Sequence, residues 1–303
     1  MIQRLRCPIS GDAAEVIFAR PYSVPALRYF ARRAKAEDEL TGRDFEVRYS
    51  ATSKLHFQTW VMADDEVAQL YSPTMTSDFI FGQIAAEKLH SFAHVAEEIL
   101  VMRQMVRMKT PVVLDFGCGW GKWGTMALAF GCRVYGFDVN RDAVAFCGGR
   151  GITMISLQDL PALNFDFINV DQVMEHVSDP LGITRLLAGS LKPGGFIKIS
   201  TPADERLPYL LRRGQQFGDD SVLEPDRIAS LTPLEHVNLF TNFALRLLGE
   251  RAGLRPVPLP FFKLLGAGQL WNLPRQINRN LLTPWKRWRI RGPYVWLQKA
   301  VKV

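Results

Sequence analysis

The 303-residue chain has no run of 18 or more apolar residues, which excludes a membrane-spanning helix as an expectation. Its opening, MIQRLRCPIS, lacks the apolar stretch and the small-residue cleavage site of a signal peptide, so a cytoplasmic location is expected. Cysteine is scarce: Cys7, Cys118, Cys132 and Cys147 show no paired spacing, which argues against a disulfide framework. Acidic residues are missing from 254 to 303, where ten Lys or Arg stand without one Asp or Glu. The formal charge of +7 therefore belongs to the tail, and the rest of the chain holds 27 cations against 30 acids.

What is present is ordinary for a soluble globular protein, with 48% hydrophobic and 22% charged residues. Residues 1–72 mix short alternating stretches such as Phe45-Glu46-Val47-Arg48-Tyr49 with turn-prone pieces, which predicts a small β-rich module separate from the core. Ile84, Leu89, Phe92, Val95 and Leu100 recur at helical spacing, so 73–110 reads as a connecting helix that covers the cofactor. From Pro111 strands and helices alternate: strands at 112–116, 133–137, 152–155, 165–170 and 195–200, helices near 122–129, from 141, and near 181–191. That alternation predicts an α/β core over 111–265, a parallel sheet with helices on both faces. Prolines, glycine and charges interrupt it at 203–234, read as an insertion on the substrate side, before a further helix at 241–251. Residues 266–303 are left as a basic, tryptophan-rich extension.

The central chemical signal is Val112-Val113-Leu114-Asp115-Phe116-Gly117-Cys118-Gly119-Trp120-Gly121, an apolar strand running into a glycine-rich turn and then a helix. Glycines let the backbone approach a ligand, and the helix start offers N–H groups. Counted from Gly117 the turn reads Gly-x-Gly-x-Gly and not the dinucleotide pattern Gly-x-Gly-x-x-Gly, and Asp115 precedes it by two residues. An acid there suits a cofactor with a positive end better than a pyrophosphate. The next strand ends in Asp138-Val139, with Asp138 falling 21 residues after Gly117, where a carboxylate can accept hydrogen bonds from ribose hydroxyls. Gln158-Asp159 follows the third strand and offers an acceptor for an adenine amino group.

These segments, together with FDFINVDQVMEHVSDP, LLAGSLKPGGFIKISTP and EHVNLFT, resemble the class I methyltransferases over about 111–260. The likeness is strongest to the branch holding ubiquinone-biosynthesis O-methyltransferases and sugar methyltransferases. The resemblance implies a Rossmann-like, seven-stranded, mostly parallel sheet with a reversed last hairpin, and S-adenosylmethionine as cofactor. By it Asp115 and Gly117, Cys118, Gly119, Trp120 and Gly121 face the methionine portion, Asp138 the ribose and Asp159 the adenine. The same likeness places Gln172 as a cofactor or substrate contact. His176 and His236 are the candidates for catalysis, as a general base or as braces beside the cofactor. The resemblance implies methyl transfer to an oxygen, less readily a carbon, of a small-molecule acceptor such as a sugar or a lipid-linked glycan precursor. A nicotinamide-dependent oxidoreductase and a catalytically silent binding module are the alternatives.

Relatives with this core also carry an N-terminal zinc ribbon. Here the matching text is Cys7-Pro8-Ile9-Ser10-Gly11 and Ser50-Ala51-Thr52-Ser53, so three of four ligand positions are serine and no metal is expected. His90 and His94 stand one helical turn apart without a third ligand. In the tail, Trp271, Trp285, Trp288 and Trp296 interleave with seven cations, which suits peripheral contact with a membrane surface through 270–303, or packing on the core. No RNA-binding module is recognisable, and no nucleic-acid partner is expected.

Overall fold

The computed structural model describes residues 1–63, 66–67, 89–259 and 293–301. Its centre is a seven-stranded sheet built from β6 (Val112–Phe116), β7 (Arg133–Phe137), β8 (Thr153–Met154), β9 (Phe165–Asp171), β10 (Leu191–Ser200), β12 (Leu254–Pro256) and β13 (Tyr294–Lys299). The order is β12-β13-β10-β9-β6-β7-β8. The pairs from β10 through β8 are parallel, whereas β13 runs antiparallel to both β10 and β12. The reversed last hairpin is thus present, and the order turns around at β6, where ligands of open α/β sheets bind beyond the strand ends.

Helices cover both faces. On one lie α3 (Leu89–Val106), α4 (Lys122–Ala129) and α5 (Arg141–Gly148), whose Ile99, Met102, Trp123, Ala127 and Cys147 pack with Val113, Phe167 and Trp296. On the other lie α6 (Pro180–Gly189) and α9 (Asn242–Arg251), with Leu187, Ala188, Leu245 and Leu248 against Leu114, Ile168, Ile197 and Leu297. Their starts are written locally: Asn140 accepts from the Asp142 and Ala143 N–H groups, Asp179 precedes Pro180 and accepts from Gly182, and Thr241 accepts from Ala244.

Two expected boundaries are corrected. The core does not stop at 265: Val295, Trp296 and Leu297 are buried in β13, an interior strand of the sheet, so the alternation in Tyr294–Lys299 is that of a core strand. Trp271, Trp285, Trp288 and the cations from Arg275 to Arg291 lie outside the described residues. So does the side chain of His90; His94 is exposed on α3.

The N-terminal module is likewise not separate. Strands β1 (Ile2–Gln3) and β5 (Trp60–Val61) form one antiparallel pair. Strands β2 (Glu15–Pro21), β3 (Asp44–Ser50) and β4 (Leu55–Gln58) form a sheet completed by β11 (Asn238–Leu239) from beyond the insertion. The insertion holds α7 (Leu207–Phe217) and α8 (Pro225–Ile228), and the module holds α1 (Pro25–Arg33) and α2 (Glu37–Leu40). Leu207, Leu211, Val222, Leu223 and Ile228 pack with Phe18, Leu27, Phe45 and Val47 in one core. Residues 203–234 therefore fold onto the module, because each part alone lacks enough apolar surface to bury. Buried Arg4 fastens this unit to the loop before α6 by donating to the Ser178 carbonyl as well as to the Gln58 and Val237 carbonyls and Asn238 Oδ1.

Candidate active site

Where β6 and β7 end, the chain encloses a cavity of about 280 Å³. Its floor is the turn after β6. Gly117 has φ +75°, and a Cβ there would lie 2.3 Å from Val173 Cγ2, so only glycine fits this close approach. Asp138 closes the end of β7, where its Oδ2 accepts from Gly119 N at 2.6 Å and its Oδ1 from Asn140 N at 2.8 Å. Burial raises its pKa above the ordinary carboxylate value, and the backbone donors work against that rise. Apolar side chains of Phe116, Phe137, Val139, Leu157, Val177 and Ile183 form most of the wall, with Phe116 and Phe137 stacked at 4.7 Å.

Asp115 sits beneath the turn. It accepts from Asn169 Nδ2 at 2.8 Å and Gly124 N at 3.1 Å, and is almost wholly buried. Burial pushes its pKa up to about 7, helped by nearby Asp171 and opposed by Asn169 and Lys198. A carboxyl so placed gains most from a cation that binds above it.

Beyond β9 the chain bends at Gln172, which takes φ +56°, a conformation costly for a residue with a side chain and common at functional sites. Gln172 and His176 line the cavity. His176 Nδ1 lies 3.0 Å from the Glu235 carbonyl, which only accepts, so Nδ1 carries the proton and Nε2 the lone pair. His236 Nδ1 stands likewise 2.8 Å from the Ala229 carbonyl. The two rings meet edge to face at 4.7 Å. Burial lowers His176 to about 4 and also lowers His236, so both are neutral near pH 7, while burial lifts Glu175 to about 8. Ligand atoms of Glu175, His176 and His236 fall within 4.8 Å of one another. An ion pair of Glu235 with Arg33 of α1, at 3.1 Å, helps hold the carbonyl on His176.

The structure thus brings Gly117, Gly119, Trp120, Asp138, Val139, Gln172 and His176 to one cavity. Cys118 and Gly121 support the turn from behind, with Cys118 buried and Gly121 N bonded to the Cys118 carbonyl. His236 stands behind His176. Gln158 and Asp159 are not on the described cavity wall: Asp159 accepts from the Ser156 N–H and hydroxyl, capping a short 3-10 helix at Leu157–Ala162. The neighbouring Leu157 takes the wall position instead. Sequence reading missed Leu157, Asn140, Ile183 and Val67, which also line it. Only Asn140 had a local signal, as the helix cap next to Asp138.

A sheet reversing at β6, with a glycine turn and an acid at the neighbouring strand end, defines the class I methyltransferase fold. Residues 87–259, more than half of the chain, match the family described as "Methyltransferase domain", and the chain belongs to that family. Among curated proteins it is similar to the ubiquinone biosynthesis O-methyltransferase of Thiobacillus denitrificans, 30% identical over 110 residues, 33% of this chain and 47% of that protein. That of Vibrio parahaemolyticus is 33% identical over 100 residues, 29% of this chain and 43% of that protein. The chain spans about half the length of these relatives. Crystal structures of the plantazolicin methyltransferases BamL and BpumL, each with a triazolic desmethylPZN analog and SAH, share the fold. Their TM-scores are both 0.50, at 14% and 17% identity, over 78% of this chain and 94% and 96% of theirs.

Proposed function

We propose that this chain transfers a methyl group from S-adenosylmethionine to an oxygen of a small-molecule acceptor. The observation that carries the reading is the convergence of Asp138, the Gly117–Gly121 turn, Gln172 and His176 on one cavity. The residues fit the cofactor: a carboxylate for the ribose, a flat apolar wall for a base, and a buried acid beneath the positive end. When bound, the cofactor supplies a methyl group on a sulfonium, and the displacement depends on alignment and on exclusion of water. Asp138 and the turn fix one end, Gln172 narrows the middle, and the apolar wall keeps water out.

An oxygen acceptor must shed a proton, and His176 takes it on Nε2, with the Glu235 carbonyl holding the ring in the required tautomer. Burial keeps His176 neutral, with Nε2 unprotonated near pH 7, and makes it a weaker base than a free imidazole. Oxygen over carbon is supported by the curated relatives, which are O-methyltransferases. The acceptor class extends to sugars and lipid-linked glycan precursors, and the basic, tryptophan-rich composition of 270–291 supports a peripheral membrane contact.

The test is turnover of phenolic and sugar acceptors by native chain and by His176→Ala. Loss of a general base lowers kcat by about 10²-fold or more, with S-adenosylhomocysteine affinity unchanged. An unaltered kcat leaves His176 as a brace.

Asp115 gives the pH dependence. Its folded pKa of about 7 lies above the ordinary value, so below pH 7 the acid is protonated and a binding cation must expel that proton. Cofactor affinity therefore rises with pH, by about tenfold between pH 6 and pH 8. Calorimetry at the two values checks it, and the rise should vanish in Asp115→Asn.

A further inference from the structure

Two of the four free cysteines meet under the cofactor turn. The Cys118 and Cys147 sulfurs both donate to the Gly119 carbonyl, at 3.6 and 3.4 Å, which brings the two thiols to one acceptor. Cys118 belongs to the turn and Cys147 to α5. A Cβ on Gly121 would lie 2.8 Å from Cys147 Sγ, so the thiol presses against the turn where a glycine makes room. Gly119 joins these thiols to the binding site: its carbonyl receives both, and its N–H fixes Asp138 Oδ2 at 2.6 Å. Gly117, Gly119 and Trp120, which flank Cys118, line the cavity, which gives a small oxidant a route.

We propose that Cys118 and Cys147 form an oxidation site, in which a hydroperoxide converts the pair into a disulfide that ties the turn to α5 and weakens cofactor binding. This deepens the cofactor reading and rests on it. The Cys147 sulfur attacks the peroxide oxygen, the O–O bond breaks, and water or an alcohol leaves, giving a sulfenic acid. The Cys118 sulfur then displaces the sulfenic oxygen as water, forming the S–S bond. The two thiols lose two electrons to the peroxide, and their protons end in the released water or alcohol. Interaction with Cys118 holds the Cys147 thiol below its usual range.

An S–S bond of about 2.05 Å draws the sulfurs well inside thiol contact distance and removes both S–H donors from the Gly119 carbonyl. Gly119 then shifts, and with it the N–H that orients Asp138. A filled cavity blocks the route, so bound cofactor should slow the oxidation.

The test is hydrogen peroxide treatment of the full chain, followed by non-reducing peptide mapping and by S-adenosylhomocysteine titration. Expected are a 118–147 cross-link with loss of two hydrogens, slower formation when S-adenosylhomocysteine is present, and affinity lower by about tenfold. Dithiothreitol should restore it. Cys147→Ser, which keeps a donor for the Gly119 carbonyl, should bind normally before peroxide and keep that affinity after it, whereas Cys132→Ala should respond as the native chain does. Absence of the cross-link, or a cross-link with unchanged affinity, overturns the proposal. Failure of the reduced native chain to bind overturns the cofactor reading instead, and the cross-link is still read by mass.

Discussion

Replacing Asp138 by alanine is expected to weaken S-adenosylhomocysteine binding by about 10²–10³-fold, because hydrogen bonds to a charged group contribute about 1.5–3 kcal/mol each and two ribose hydroxyls share this carboxylate. The loss has a second source. Asp138 also accepts from Gly119 N and Asn140 N, so alanine unpins the turn that forms the cavity floor and leaves two N–H groups without their acceptor. Asp138→Asn separates the two sources: its amide oxygen keeps one backbone acceptor, so thermal stability should stay closer to native while affinity still falls. Calorimetric titration of both variants, with a melting curve for each, checks the order native, Asn, Ala. Native-like affinity in the alanine variant would remove Asp138 from the site.

The largest effect on stability is expected at Lys198. Its side chain is fully buried, with Nζ 3.1 and 3.2 Å from the Glu98 oxygens and 3.2 Å from Asp171 Oδ1. Burial works to lower its pKa, yet the two carboxylates more than offset that and hold it above the ordinary value. Lys198→Met matches the volume but leaves Glu98 buried with its cation gone. Breaking one side of a buried pair costs about 3–5 kcal/mol, which for a chain of this size lowers Tm by roughly 5–8 °C. A melting curve measures it. Adding Glu98→Gln should recover part of the loss, and no recovery would show that the pair is not the source. The effect also bears on the site: Glu98 sits on α3, Asp171 directly precedes Gln172, and Lys198 ties the helix to the strand end that carries the cavity wall.

The elements from β6 to α6 were legible because each carries its own punctuation. Val112–Phe116, Lys122–Ala129 and Arg133–Phe137 fall where apolar runs, glycines and the Asn140 cap place them. Tyr294–Lys299 was misread because a half-aromatic strand and an interfacial segment share one composition. Only its pairing with β10, where Trp296 meets Phe167 at 5.1 Å, tells them apart. The insertion and the N-terminal module were read as two pieces because their shared core joins Phe18 to Leu211 across nearly two hundred residues. No local pattern carries that distance. His176 was legible as a candidate, but its tautomer was not, since that depends on the carbonyl of Glu235, 59 residues away.

By itself the sequence determined the α/β core, the glycine turn and the acids at the ends of β6 and β7, since backbone freedom, strand burial and helix capping are decided within a few neighbours. Tertiary structure alone decided that β13 closes the sheet, that burial lifts the pKa of Asp115 to about 7, and that Cys118 meets Cys147. Each of those depends on which groups burial brings together and strips of water, and that is a property of the packed molecule, not of any segment.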